Sequence, residues 1–296
     1  MAKNWKEFLL NWLIKISGYS AIIFVILIFY FLLREGLPTF REVGIRELLS
    51  TRWYPIEDYY GIVPLIGGTI IVTIGAGLFA IPIGLCTAIF ISEVSPRWAR
   101  DILKPLVEAL GGIPSVVLGF LGILILAPYI RRILDLPTGL SALGGSILLG
   151  LIALPTIVSV AEDALDSVPR TYRDGALALG ATEWQTIWRV TLPAARSGVL
   201  TAIMLGLGRA LGETMAVMMV TGNAAVLPIK IDSLFQPVRT MTATIAAEMG
   251  EVAKGSTHYH VLFFIGVILF LISLGINITA SQTMFKQRKR AERILS

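Results

Sequence analysis

Apolar residues gather into six long runs separated by short polar stretches: Ile14 to Leu33, Ile62 to Ile91, Leu106 to Ile130, Leu143 to Val160, Val199 to Val226 and Val261 to Met284. Each is long enough to cross the ~30 Å hydrocarbon layer of a bilayer as a helix. Their continuity, without the two-residue alternation of barrel strands, predicts helices, which satisfy their own backbone hydrogen bonds in lipid. The expected fold is all-α and polytopic, with six transmembrane helices. The first run is too long for a signal-peptide core and is followed by Arg34-Glu35 rather than a small-residue cleavage site, so it reads as a retained anchor.

Polar punctuation divides the chain further. Pro82, Pro114 (after Gly111-Gly112) and Pro155 interrupt the second, third and fourth runs, and each removes a backbone donor where neighbours or a water-filled cavity must supply partners. Between the fourth and fifth runs lies a loop of intermediate polarity that predicts two short helices. Ser167 before Pro169 would start the first and Gly180 would end it in a left-handed turn. Thr182, with Gln185 three positions later, forms a capping box opening the second. Ala176, Leu177 and Leu179 would give this knob an apolar patch, and Arg170, Arg173 and Asp174 a charged rim.

A composition of 55% hydrophobic and 15% charged residues excludes an ordinary soluble domain. The net charge of +5 does not point to nucleic acid, because the basic residues cluster at the ends of the apolar runs. One side would carry Lys3, Lys6, Lys15, Arg97, Arg100, Lys104, Arg170, Arg173, Arg189, Arg196 and the basic residues from Lys286 to Arg293. The other would carry Arg34, Arg41, Arg46, Arg52, Arg131, Arg132, Lys230, Arg239 and Lys254. The richer first set predicts both termini, and the loop before the fifth run, in the cytoplasm. Cys86 lies alone in an apolar run and has no disulfide partner in the chain. His258 and His260 point apart on a helix and read as interfacial side chains rather than metal ligands.

No Gly-Lys-Ser or Gly-Lys-Thr occurs, so the chain has no Walker A phosphate cradle and any ATP must be handled by a partner. Gly206-Leu207-Gly208-Arg209-Ala210-Leu211-Gly212 has the wrong spacing for a dinucleotide loop; Gly208 and Gly212 read as a helix-packing face. The same segment places Arg209 and Glu213 in the fifth run, where an ionised side chain costs about 2.5–3.5 kcal/mol to insert. At i and i+4 the two are expected to pair. Either Arg209 contacts a transported oxyanion with Glu213 holding it, or the pair only staples the fifth span to its neighbours. Thr214, Thr221 and Asn223 would add neutral donors to a pathway, or hydrogen-bond between helices.

The loop motif Asp174-Gly175-Ala176, three residues, Gly180, nine residues, then Val190-Thr191-Leu192-Pro193 resembles the EAA loop of ABC-importer permeases, with Asp174 and Gly175 in place of the usual Glu and Ala. Ala88-Ile89-Phe90-Ile91-Ser92-Glu93, Gly112-Ile113-Pro114-Ser115-Val116-Val117, Ala153-Leu154-Pro155-Thr156-Ile157 and Gly208 to Val217 resemble the permeases of the phosphate-specific importer. Gly222-Asn223 and Ser233-Leu234-Phe235 leading to Ile245-Ala246-Ala247-Glu248 bring it closer to the C-type than the A-type subunit.

The resemblance implies a type I (MetI-like) permease without catalytic residues, metal or cofactor of its own, in the cell inner membrane. It implies a heterodimer with an A-type permease, an ATPase dimer that uses ATP and Mg²⁺, and an external phosphate-binding protein. The loop from Arg170 to Trp184 would be the coupling helix docking on the ATPase, through Arg170, Arg173, Asp174, Gly175, Ala176, Leu177, Leu179, Gly180 and Thr182. Arg209 and Glu213 fall on that family's membrane-embedded Arg and Glu. Expected boundaries are 1–60 for the N-terminal segment, first span and external loop, 61–284 for the transmembrane domain with its coupling loop at about 165–195, and 285–296 for a basic tail.

Overall fold

The computed structural model describes residues 2–228 and 231–295. Lys230, assigned to the outer set of basic residues, lies outside the described residues.

Helix α1 (Ala2–Gly36) is followed by two short helical turns and a two-stranded antiparallel hairpin, β1 (Trp53–Tyr54) and β2 (Tyr59–Tyr60), in the register Trp53 to Tyr60 and Tyr54 to Tyr59. Helix α2 (Val63–Ile89) runs on through a π-helical turn, Phe90–Val94. Next come α3 (Arg97–Gly111), α4 (Ser115–Leu121) and, across a second π turn (Gly122–Leu126), α5 (Ala127–Ile133). Helix α6 (Ala142–Asp166) precedes the knob, formed by α7 (Arg170–Ala178) and α8 (Glu183–Thr186), and α8 continues into a third π turn, Ile187–Thr191. Then come α9 (Arg196–Gly212), α10 (Met215–Val220), α11 (Met241–Glu248) and α12 (Thr257–Leu295).

Four of the six expected spans keep their identity in α1, α2, α6 and α12, and two are redrawn. The third begins at Ser115 rather than Leu106, because Gly111 and Gly112 weaken the helix and Pro114 drives the chain out of it. Arg97–Gly111 is therefore a separate helix. The fifth, expected as one helix over Val199–Val226, breaks twice. Glu213 is extended (φ −70°, ψ 132°), and after α10 the left-handed Gly222 and Asn223 (φ 80° and 51°) turn the chain away. The helical stretch Glu183–Ala194 meets α9 at 72°, so the described residues hold five helices long and apolar enough to cross a membrane and, in the place of the fifth expected span, a bent pair. The segment expected as a basic tail at 285–296 is helical to Leu295, a direct extension of α12.

Helix α6 is the hub, packed on by α2, α9, α3 and α10. Its length is mostly buried, from Ala142 through Ile157 to Leu165, and close approach depends on small residues opposite: a Cβ at Gly206 of α9 would sit 2.3 Å from Ile157 Cγ1. Gly208 and Gly212, expected to form that packing face, have no neighbour within 4 Å of a built Cβ. Their face is open because α9 turns Gly206, not Gly208, toward α6.

Two buried clusters close the body at opposite ends. At the knob end, Ala88 and Ile91 pack with Val158, Ala161, Leu165, Ile187 and Val199. At the hairpin end, Trp53, Tyr60 and Leu65 pack with Met241, Val261 and Ile265.

Candidate functional site

Arg209 stands in the last turn of α9, where a cation complements the partial negative charge of the helix end. It does not pair with Glu213. Because the helix stops at Gly212, the i,i+4 geometry that pairing needs does not exist. Glu213 Oε1 instead accepts from the backbone N–H groups of Thr214 (3.2 Å) and Ala216 (3.4 Å) and caps α10. The Arg209 guanidinium reaches two neutral acceptors, donating to Gly111 O and to Thr156 Oγ1, both at 3.1 Å. Gly111 O is available because α3 ends there, and Thr156 follows Pro155 in α6. Sequence breaks in two separate elements thus converge on one guanidinium, which remains exposed.

The neutral donors expected beside Arg209 are differently placed. Thr214 Oγ1 donates to Gly212 O at 3.3 Å, at the break itself. Thr221 is buried and its hydroxyl donates to Val217 O at 2.9 Å, so it is consumed within α10. Asn223 is exposed, but its amide closes the end of α10 by donating to Met218 O at 2.7 Å. Of the five expected pathway residues, only Thr214 shares the break with Arg209 and Glu213.

The knob is built from local signals. Gly180 (φ 84°) ends α7 with Gly180 N–H donating to Leu177 O and Ala181 N–H to Ala176 O, a Schellman pair. Thr182 and Gln185 exchange both capping-box bonds, at 3.1 and 3.2 Å. Ser167 does not open α7. It closes α6, donating to Ala164 O, and Pro169 precedes the first turn of α7. Leu179 is 91% exposed and Leu177, Tyr172, Trp184 and Trp188 are also exposed, so the knob shows an apolar face; Arg170, Asp174, Gly175 and Thr182 are exposed around it, with Ala176 half-buried. Arg173 is the exception. Its guanidinium turns inward to Glu93, so it is not part of the rim.

Behind the knob lies a charged network that the sequence reading missed. Glu162 of α6 is only 1% exposed and is held by Arg100 (2.6 Å) and Lys104 (2.5 Å) of α3. Lys104 also reaches Asp163 at 2.7 Å, and Arg100 pairs with Asp166. The hydrogen bond to Asp163, then that to Glu162, holds the Lys104 ammonium above its usual range against the cost of burial. Replacing Glu162 by Ala takes the buried carboxylate from between two half-buried cations, leaving each with a single partner, and should destabilise the protein by about 2 kcal/mol, read as a lower detergent melting temperature. An unchanged melting temperature would mean that Asp163 and Asp166 alone satisfy both cations.

At the hairpin end, Glu248 collects Arg239 (2.7 Å), His258 (2.8 Å) and the Trp53 indole N–H (3.2 Å). Burial opposes its ionisation, yet His258, Arg239 and Trp53 together hold the carboxyl below its usual value. Burial, reinforced by the bond to Asp58, pushes Tyr60 up to about 12, so it remains a neutral phenol. His260 bonds Glu35 O at 2.8 Å. Both histidines are thus fastened to neighbours.

An apolar body of this kind, with a projecting helical knob entering a bent span, is the fold of an ABC-importer permease. A chain of the bacterial alginate ABC transporter, solved in complex with an alginate pentasaccharide-bound periplasmic protein, shares it with a TM-score of 0.63 at 17% identity, over 93% of this chain and 95% of that one. Residues 80–291 match the model of the binding-protein-dependent transport system inner membrane component, and the chain belongs to that family. It is 42% identical over 244 residues to the probable ABC transporter permease protein YqgH of Bacillus subtilis, covering 81% of this chain and 78% of that protein. It is 37% identical over 258 residues to the phosphate transport system permease protein PstC of Mesorhizobium japonicum, covering 81% and 77%. The protein is accordingly a multi-pass inner-membrane permease.

Proposed function

We propose that this chain is the permease subunit of an ATP-driven phosphate importer, forming half of the translocation pathway with an A-type permease. The observation that carries the substrate is its similarity, over most of its length, to permeases named for phosphate transport. The chemistry at Arg209 agrees: a planar fork of donors, uncompensated by a carboxylate, suits a tetrahedral oxyanion. Glu213 shapes the break by capping α10, and Thr214 supplies a hydroxyl there.

The knob is the docking piece for an ATPase dimer that uses ATP and Mg²⁺, a task this chain, with no Walker motif, leaves to a partner. Arg170, Asp174, Gly175, Ala176, Leu177, Leu179, Gly180 and Thr182 present its outer surface. Counting the bent pair as one crossing gives six, with both termini and the knob on one side, and the lysine and arginine distribution supports the cytoplasm as that side. Closure of the ATPase dimer pushes α7 and rocks the helices outward, while an external phosphate-binding protein delivers the anion from the other side.

In a strain lacking the endogenous permease, this chain with its partners should restore uptake of labelled phosphate, sensitive to ATP depletion and indifferent to excess sulfate. Uptake of sulfate or molybdate instead would make it a permease for another oxyanion. Uptake that survives ATP depletion, with no ATPase co-purifying, would make it an ion-driven carrier.

A further inference from the structure

Arg173 lies in the middle of the knob helix, yet its donors all go inward. Nε donates to Glu93 Oε2 at 3.0 Å and Nη2 to Glu93 Oε1. Nη1 donates to Val168 O at 2.7 Å and Nη2 to Leu165 O at 2.9 Å. Leu165 lies in the last turn of α6 and Val168 just beyond it. Glu93, with a side chain 7% exposed, sits on the π turn that ends α2. One guanidinium therefore fastens α7 to both α2 and α6.

The chain of bonds continues. Ser92, beside Glu93, donates to Asp166 at 2.8 Å, and Asp166 pairs with Arg100 of α3. Arg100 and Lys104 clamp the first half of α3 to Glu162. From Lys104 the remaining seven residues of α3, about 10 Å of helix that contains Pro105, lead to Gly111, whose carbonyl holds Arg209.

We propose that the Glu93–Arg173 latch and α3 form the mechanical link between the coupling knob and Arg209: displacement of α7 is carried through the latch and α3 to Gly111, making and breaking its bond to Arg209. The two-state element is that bond, which competes with the transported anion for the same guanidinium. Arg173 and Glu93 are positioning residues, since neither reaches the anion. This rests on the reading of the knob as the ATPase contact.

The test uses the full complex with its ATPase, the second permease and the loaded binding protein, reconstituted in liposomes. Glu93→Gln keeps the shape and removes the charge. It should leave assembly and nucleotide binding intact while lowering phosphate uptake by about tenfold or more. Because both residues serve one link, the double variant Glu93→Gln with Arg173→Leu should be no worse than Arg173→Leu alone. Additive losses, or wild-type uptake in Glu93→Gln, would overturn the proposal.

A readout that does not depend on those variants folding is the distance between spin labels at Leu106 of α3 and Leu205 of α9, both exposed, in a Cys86→Ser background. It should change between the nucleotide-free and nucleotide-trapped complexes, and an unchanged distance would also overturn the link. If Gly180→Val abolishes uptake but Glu93→Gln does not, the latch fails while the coupling knob stands; if neither does, the knob reading itself fails.

Discussion

Arg209→Leu should lower phosphate uptake by about 100-fold or more while the complex assembles at normal yield. An exposed guanidinium with two neutral acceptors forfeits little stability when removed, about 1 kcal/mol per hydrogen bond. Charge-assisted bonds to an oxyanion contribute roughly 1.5–3 kcal/mol each, and two of them amount to two or more decades at about 1.4 kcal/mol per decade. Arg209→Lys keeps the charge without the fork and should retain an intermediate rate. Glu213→Gln sharpens the test. Since Glu213 caps α10 through one carboxylate oxygen, a glutamine side-chain oxygen can replace it, and uptake should fall only a few-fold. Equal, severe losses in Arg209→Leu and Glu213→Gln would restore the ion-paired arrangement, and normal transport by assembled Arg209→Leu would remove the pathway role.

Gly180→Val should abolish transport without dissolving the membrane body. At φ 84° a β-branched residue is disfavoured by about 1–2 kcal/mol, which is enough to unwind the Schellman turn. No atom lies within 4 Å of a Cβ built there, so the loss is conformational rather than steric and stays in the knob. The exposed Leu179 then points elsewhere. Liposomes carrying the variant complex should show uptake lowered more than about tenfold and ATP hydrolysis unresponsive to the loaded binding protein, whereas Gly180→Asn, which tolerates the left-handed region, should retain most of both. Unchanged uptake in Gly180→Val would end the coupling assignment.

What could be read from the chain followed the range of the forces involved. Local chemistry was legible: the capping box at Thr182, the glycine stop at Gly180 and the long apolar runs all depend on neighbours a few residues away. The fifth span was misjudged because its apolar run is continuous in composition, while the break at Glu213 depends on a carboxylate turning onto the N–H groups ahead of it. Arg209's true partners, Gly111 and Thr156, lie 98 and 53 residues away. The stretches around Pro114 and Pro155 carried a signal, since a proline within an apolar run leaves a backbone carbonyl without its helical partner. Glu162, with Asp163 and Asp166 at the end of an apolar run, invited the question of which cations meet them, but Arg100 and Lys104 could be named only once α3 was seen as separate.

Glu248 ties β1, the segment before α11 and α12 together at the hairpin end, opposite the knob. Helix α6 measures roughly 37 Å, and Arg209 stands roughly 20 Å from the start of α9, about midway between that end and the knob. Its two bonds measure 3.1 Å and are lost beyond about 3.5 Å. A relative shift of only about half an ångström between Arg209 and these acceptors is then sufficient to free the guanidinium, so coupling asks for a short, forceful push rather than a wide swing.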